Sequence, residues 1–533
     1  MHSSSANTSR VIDVIGAFSL AADMALGLTA GHGVRAAYIG LRLADALRLR
    51  PTLRADLFYA ELLMDAGCTA WASQTAAAIL GDDITARRHM IFMCDPRDPR
   101  DLVKWLARYV AAGERLTTRV RRSVGFVAHG RGFMREGLEN TSEVAARLAR
   151  RLGRSPGVQE ALRFFVEQWD GSGPRQMRAA QTPMVSRILL ATLHIEVLHQ
   201  IAGREAAVRM ARERRGKALD PNVVDAFLAV ARAEDFWRAL ESEQIWPIVR
   251  DLEPDSEYRV ITSEQLDEAI TAFADFADLK SFYSAGHSRR VAALCEQMAL
   301  ALRLAPEEIV AIRQAGFLHD LGIVAVPSFV LHKPEHRLSD AERESVRLHP
   351  YHAERILSYV PAFAPIVPLV AAHHEQPDGR GYFRGLSGSQ IPPGACVIAV
   401  ADRFDELTHA RPGHEALDPR EALREIESGA GTAFSIGAVR ALAETAPTRA
   451  DVAAAPCVNS LPERRSTWPA GLTDREVEVL RLLATGASRR AIAAQLSVTE
   501  HTVRHHLEHI YTKVDVRTRV EATLFAVEQG LIR

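Results

Sequence analysis

Two stretches of this chain carry the same landmarks at one fixed spacing, and that repeat limits the possible fold more than any other feature. Gly31-His32 recurs as Gly286-His287, an offset of 255 residues. At the same offset and without a gap, Ala46-Leu47-Arg48-Leu49 recurs as Ala301-Leu302-Arg303-Leu304, Pro51 as Pro306, and Asp65-Ala66-Gly67 as Asp320-Leu321-Gly322. Beyond an insertion in the first copy, Glu167-Gln168-Trp169-Asp170-Gly171-Ser172-Gly173 parallels Glu375-Gln376-Pro377-Asp378-Gly379-Arg380-Gly381. Helical proteins share alanines and leucines by chance, but one offset that holds both the Gly-His and the Asp-x-Gly anchors means duplication. Apolar residues recur at three- and four-residue steps in Val34–Leu49, Ser142–Leu152 and Val158–Gln168, so each copy is expected to be all-α.

The second copy holds the chemistry. His319-Asp320 ends an amphipathic run, and such a pair offers an imidazole for a divalent transition metal and a carboxylate able to bridge two. His287 lies upstream; His349, the His373-His374 doublet, Asp378, Tyr382 and Asp402 follow. These residue types point to a two-metal site. Ser339 with Glu342 forms a capping box opening the helix that should deliver His349. Placed on one helix, His373 and His374 would point about 100° apart and could address different metals. His332, His336, His352, His409 and His414 have no such place and are expected at the surface.

The order and spacing of these residues over about 266 to 445 resemble the HD-GYP domains of the HD phosphohydrolase superfamily. The resemblance implies a helical bundle that holds two divalent metals, iron or manganese, and hydrolyses a phosphodiester such as cyclic di-GMP. The implied ligands are His287, His319, Asp320, His349, His373, His374 and Asp402, with Asp320 as the bridge. Asp320, Asp378 and Tyr382 take the catalytic positions. A third-metal glutamate known in some members is replaced by Tyr283, which favours two metals. The phosphate-reaching lysine of the His-Asp-x-Gly-Lys run is Ile323, and the proline of the Gly-Tyr-Pro signature is Phe383. Lys333 or Arg411, together with Asp378, is then expected to meet the substrate, and turnover is expected to be weak.

The first copy keeps only His32 and Asp65 of that ligand set. Met64 stands for the dyad histidine and Phe165-Val166 for the doublet, so no dinuclear centre is expected there. Its role is expected to be packing against the second copy or sensing a ligand.

The remaining composition excludes more than it assigns. A formal net charge of −1 gives no overall pull toward nucleic acid or membranes. Five scattered cysteines without a Cys-x-x-Cys pair suit a reducing cytoplasm. The apolar stretch Val11–Gly31 contains Asp13 and Asp23, which argues for a buried helix and against a membrane span. The basic run Arg119, Arg121, Arg122 is expected on a solvated helix face. The expected organisation is a tail (1–10), a degenerate HD-GYP-like domain (11–250), an HD-GYP-like domain (256–445), a linker (446–469) and a final module (470–533).

That module predicts four helices. Thr473 with Glu476 is a capping box, and two short helices around Ser497-Val498-Thr499 make a helix-turn-helix. Leu472-Thr473-x-Arg475-Glu476, Ile492-Ala493, Thr502-Val503-x-x-His506 and Ile510-Tyr511-x-Lys513 resemble the LuxR-type DNA-binding domain. The resemblance implies that Thr499, Thr502, Val503, Arg504, His506 and Lys513 face DNA, and that the last helix supports a homodimer. From residue 471 onward, nine Lys/Arg stand against eight Asp/Glu, so phosphate attraction is modest. The expected function is a metal-dependent phosphodiesterase coupled to a DNA-binding transcriptional regulator. The alternative is a transcription factor whose pocket senses a nucleotide or metal with little turnover.

Overall fold

The computed structural model describes residues 9–93, 99–254, 260–446, 468–484 and 486–532. Residues 1–8 of the expected tail, the break at 95–98, the polar boundary beyond Pro254 and most of the linker lie outside them. Among the described residues there is no strand, only isolated bridges such as Arg411 with His414. The chain forms two compact units. One comprises the residues through Ala272 with Val324–Phe329 and Ile356–Ala362; the other comprises 273–323, 330–355 and the chain from Phe363 onward.

The duplication holds down to backbone detail. Helices His32–Ala46 and His287–Ala301 both span 15 residues, and helices Pro51–Leu63 and Pro306–Leu318 both span 13. Gly31 and Gly286 precede the first pair with φ of 83° and 72°, a left-handed conformation that glycine adopts without a Cβ penalty. Proline opens each second helix, where its missing N–H costs nothing and its fixed φ suits the first turn. Arg48 and Arg303, in the connecting turns, share a positive φ of 53° and 55°.

Each copy also has one close backbone crossing. A Cβ on Gly322 would stand 1.9 Å from the His349 carbonyl oxygen, and one on Gly67 would stand 1.9 Å from that of Thr141. Thr141 therefore occupies the place of His349 in the first copy. Glu375 accepts the backbone N–H groups of Arg384 and Leu386, as Glu167 accepts those of Arg175 and Met177. These carboxylates tie down the Gly-rich loops in both copies.

The Val11–Ala25 helix is buried along most of its length, and its two aspartates are satisfied. Asp23 accepts the N–H groups of Gly31, His32 and Gly33, while Asp13 pairs with Arg250. No helix among the described residues is long and apolar enough to cross a membrane. In the long helix Leu116–Arg151, Arg121 and Arg122 are exposed, and Arg119 is half-buried, donating to the Ala107 carbonyl.

Residues from Trp468 onward build a separate core of Leu472, Val477, Leu480, Leu483, Ile492, Val503, Leu507 and Ile510. Its helices are Asp474–Ala484, Arg489–Gln495, Glu500–Lys513 and Arg519–Glu528.

Gly322→Ala should be strongly destabilising, because the clash is with backbone rather than a movable side chain. Overpacking of this kind costs about 1–3 kcal/mol or more. Thermal unfolding checks the loss, and metal content should fall with it because the clashing carbonyl belongs to His349. An unchanged melting temperature would contradict the crossing.

Candidate metal centre and nucleic-acid interface

Four helices and the turn that follows a fifth bring the ligands together in the second unit. His287 opens its helix, His319 and Asp320 follow the end of Pro306–Leu318, and His349 opens His349–Leu357. Asp402 sits within the helix Pro393–Thr408. His373 and His374 depart from expectation. The preceding helix ends at Ala371, so they occupy the turn beyond it and are aimed by that turn rather than by helical periodicity.

The hydrogen bonds set the tautomers. His319 Nδ1 lies 2.8 Å from the Gly316 carbonyl, His349 Nδ1 2.7 Å from that of Val346, and His373 Nδ1 2.6 Å from that of Val370. A carbonyl only accepts, so each of these Nδ1 atoms carries a proton, and Nε2 is the atom left to meet a metal. His287 is oriented the same way by Asp405, 2.7 Å from its Nδ1. Asp405 is in turn clasped by Arg290 at 2.6 and 2.9 Å.

The Nε2 atoms face one another. His287 Nε2 lies 3.3 Å from His319 Nε2, and His349 Nε2 lies 3.1 Å from His373 Nε2. Each pair of nitrogens is close enough to share a proton or a metal cation. Asp320 connects the two pairs. One of its oxygens is 3.2 Å from His349 Nε2, and the other is 3.6 and 3.7 Å from those of His287 and His319. Asp402 approaches His287 and His319 at 3.3 and 3.6 Å. The donor sets His287/His319/Asp320 and His349/His373/His374 each converge, and His319/His373/Asp402 lies between them. The donors therefore fit divalent ions bound by imidazole and carboxylate.

Burial, aided by the neighbouring imidazoles, keeps His373 well below the ordinary histidine range, and His374 is pushed down to about 3. Both are held neutral, whereas at His287 and His319 burial is outweighed by the carboxylates of Asp320 and Asp402, which raise them. Burial opposes ionisation of Asp320, yet His319, His287 and His349 outweigh it and hold its carboxyl well below the usual carboxylate range.

Around this centre the remaining candidates separate. The Tyr382 ring stacks on His374 at 4.7 Å, and burial pushes its phenol up, so it keeps its proton. Asp378 accepts the Arg380 backbone N–H and shapes the loop; no bond joins it to the ligands among the described residues. Lys333 is paired with Glu342 at 2.5 Å, and Arg411 with Glu406. Sequence reasoning missed Arg347. Its guanidinium lies 4.8 Å over the outer part of this ladder, the Tyr382 ring, and no acidic partner is found for it among the described residues. A cation two positions before His349 was the available signal. The histidines expected at the surface are in part better buried: His409 bonds to the Asp405 carbonyl at 2.9 Å, and His332 stacks on Phe282.

The first unit keeps the frame and loses the donors. His32 Nδ1 and Arg35 both meet Glu196, as His287 and Arg290 meet Asp405. His32 Nε2 stands 3.4 Å from Asp65. Met64, Phe165 and Leu193, all buried, fill the positions of His319, His373 and Asp402.

In the C-terminal module, Thr473 and Glu476 form the expected capping box. Thr499 caps Glu500–Lys513 through the Thr502 N–H at 3.1 Å. Two expectations need correction. Val503 is fully buried in the module's core, held there by the period that buries Leu507 and Ile510, and cannot face DNA. Lys513 is held by Glu476 at 2.7 Å and so acts first within the fold. Arg504 is exposed, while Thr502 and His506 are half-buried.

Known proteins are similar to parts of this chain. Residues 271–435 match the HD domain model, and residues 470–526 match that of bacterial regulatory proteins of the luxR family. The chain is 29% identical to 3'3'-cGAMP-specific phosphodiesterase 3 of Vibrio cholerae, over 80% of this chain and 93% of that protein. It is 34% identical to a cyclic di-GMP phosphodiesterase of Thermotoga maritima, over 35% of this chain and 50% of that protein. It is 32% identical to the cyclic di-GMP phosphodiesterase response regulator RpfG of Xanthomonas campestris, over 43% of this chain and 63% of that protein. Among solved structures, a cyclic GMP-AMP specific phosphodiesterase of V. cholerae aligns with TM-score 0.57 and 25% identity, over 82% of this chain and 98% of that one.

The donor inventory predicts where metal goes. Elemental analysis of the purified chain should find two ions, and His319→Ala with Asp320→Ala should remove both by taking a terminal and a bridging ligand together. Retention of two ions by the folded double variant would contradict the assignment.

Proposed function

Since residues 271–435 are an HD domain with homology to cGAMP and cyclic di-GMP phosphodiesterases and residues 470–526 are a luxR-type domain, we propose that this protein is a metal-dependent cyclic-dinucleotide phosphodiesterase that also binds DNA. The observation that carries the hydrolytic reading is the two facing pairs of imidazole Nε2 atoms with Asp320 between them. His287, His319, Asp320 and Asp402 would hold one ion, and His349, His373 and His374 with Asp320 the other, iron or manganese being the best fit. Bound ions supply Lewis acidity toward a phosphoryl oxygen and a nucleophile formed from water near neutral pH. Asp405 and the three carbonyls hold the imidazoles in the tautomer that can donate to metal. Tyr382 keeps its proton and can donate it in a hydrogen bond at the mouth of the site.

Arg347 takes the part of the absent lysine. With Ile323 apolar and both Lys333 and Arg411 committed to carboxylates, Arg347 remains to meet a phosphodiester beside the Tyr382–His374 stack. A charged hydrogen bond is worth about 1.5–3 kcal/mol, so Arg347→Ala should lower kcat/KM about ten- to a hundredfold. Metal content should stay unchanged. Ile323→Lys in that background should restore part of the loss by returning a cation one turn after Asp320. Assays with 3'3'-cGAMP, cyclic di-GMP and a generic phosphodiester check both effects, and wild-type activity in Arg347→Ala would sink the assignment. Hydrolysis of none of the three by metal-loaded wild type would leave a sensor of nucleotide or metal.

DNA is bound through the C-terminal module by a homodimer, because a near-neutral module needs two half-sites to hold a duplex. Arg504→Ala should weaken binding and reduce the slope of log affinity against log salt by about one. Electrophoretic or fluorescence titrations at several salt concentrations measure it, and an unchanged slope would remove Arg504 from the interface.

A further inference from the structure

The exposed side of the Glu500–Lys513 helix carries a column of imidazoles that neither the catalytic reading nor the DNA-facing residues named above account for. His501, His505 and His509 follow one another at four-residue steps, so each lies one turn above the last on the same face. Their ring centroids are 5.8 and 5.2 Å apart. All three are exposed, and among the described residues no hydrogen bond ties up their ring nitrogens. The column cannot rotate inward, because Val503, Leu507 and Ile510 lock the opposite side of the helix into the core. The Glu508 carboxylate stands 4.0 Å from His505 Nδ1 and pairs with Arg504 at 3.6 Å, so the imidazoles are the column's donors.

Two imidazoles at i and i+4 are the spacing by which a single helix chelates a transition metal. The donor type, imidazole nitrogen, suits the later first-row divalent ions. We propose that a neighbouring pair in this column, His505 with His509 or with His501, forms a surface site for Zn2+ or a similar ion, and that the ion strengthens DNA binding by this helix. The second half rests on the reading of the module as DNA-binding. A pair of protein imidazoles leaves coordination positions open, which a phosphate oxygen or a purine nitrogen can fill. The ion also adds two positive charges to a module whose Lys/Arg exceed its Asp/Glu by one.

The test uses the full chain and the triple variant His501→Gln/His505→Gln/His509→Gln, each equilibrated with Zn2+ and freed of excess. The substituted residues are all exposed, so the variant keeps its core, and circular dichroism verifies it. Elemental analysis should count one more ion per chain in the wild type than in the variant, the catalytic centre being common to both. Affinity for a mixed-sequence duplex is then measured with and without Zn2+ across a salt series. Zn2+ should tighten wild-type binding at least about tenfold and steepen its salt slope by about one to two, as the added charge displaces further counterions. The variant should show neither change. Equal metal counts would overturn the site. An extra ion with unchanged or weakened DNA binding would overturn its role at DNA. An extra ion in a chain that binds no duplex under any condition would remove the DNA-binding reading while leaving the metal site standing.

Discussion

The centre of this molecule depends on proton placement. Three backbone carbonyls and one carboxylate each accept a hydrogen bond from the Nδ1 of a buried histidine, and that turns four Nε2 atoms toward one another in pairs 3.3 and 3.1 Å apart. Each pair is placed to share a cation. Helix ends and turns supply the histidine donors, His287 and His349 at helix starts and His319 and His373 just past helix ends, while Asp402 comes from a helix interior. Backbone at a helix end has carbonyls to spare, which is why the orienting hydrogen bonds of His319 and His373 come from three residues earlier.

The first unit shows the same frame with other contents. Its Gly-capped helix, its proline-started helix, its backbone crossing at glycine and its glutamate-tied loop all persist. Glu196 even repeats the Asp405 clasp on histidine and arginine. Met64, Phe165 and Leu193 have nonetheless replaced donors with apolar volume. The two copies therefore share caps, crossings and cores while differing in the donors that line the pocket.

Much of this was legible in the sequence. The constant offset announced the duplication, the capping boxes at Ser339 and Thr473 formed as spaced, and every ligand that the motif order proposed converges in the second unit. What was not legible depends on distances between elements remote in the chain. Lys333 and Arg411 looked available because their partners, Glu342 and Glu406, are recognisable only once the loops are folded. Arg347 looked ordinary until Tyr382 was placed beneath it. The helical placement of His373 and His374 failed because the helix stops two residues earlier. Val503 failed for a different reason: a family position was read as facing DNA while the apolar period of its own helix, with Leu507 and Ile510, already assigned it to the core.

X-ray absorption spectroscopy of the iron- or manganese-loaded protein tests the central claim most directly. If the opposed imidazoles each hold an ion across the Asp320 bridge, the spectrum contains several imidazole ligands per metal and a metal–metal vector of about 3.5–4 Å. A mononuclear spectrum, or one with oxygen ligands alone, would contradict the account.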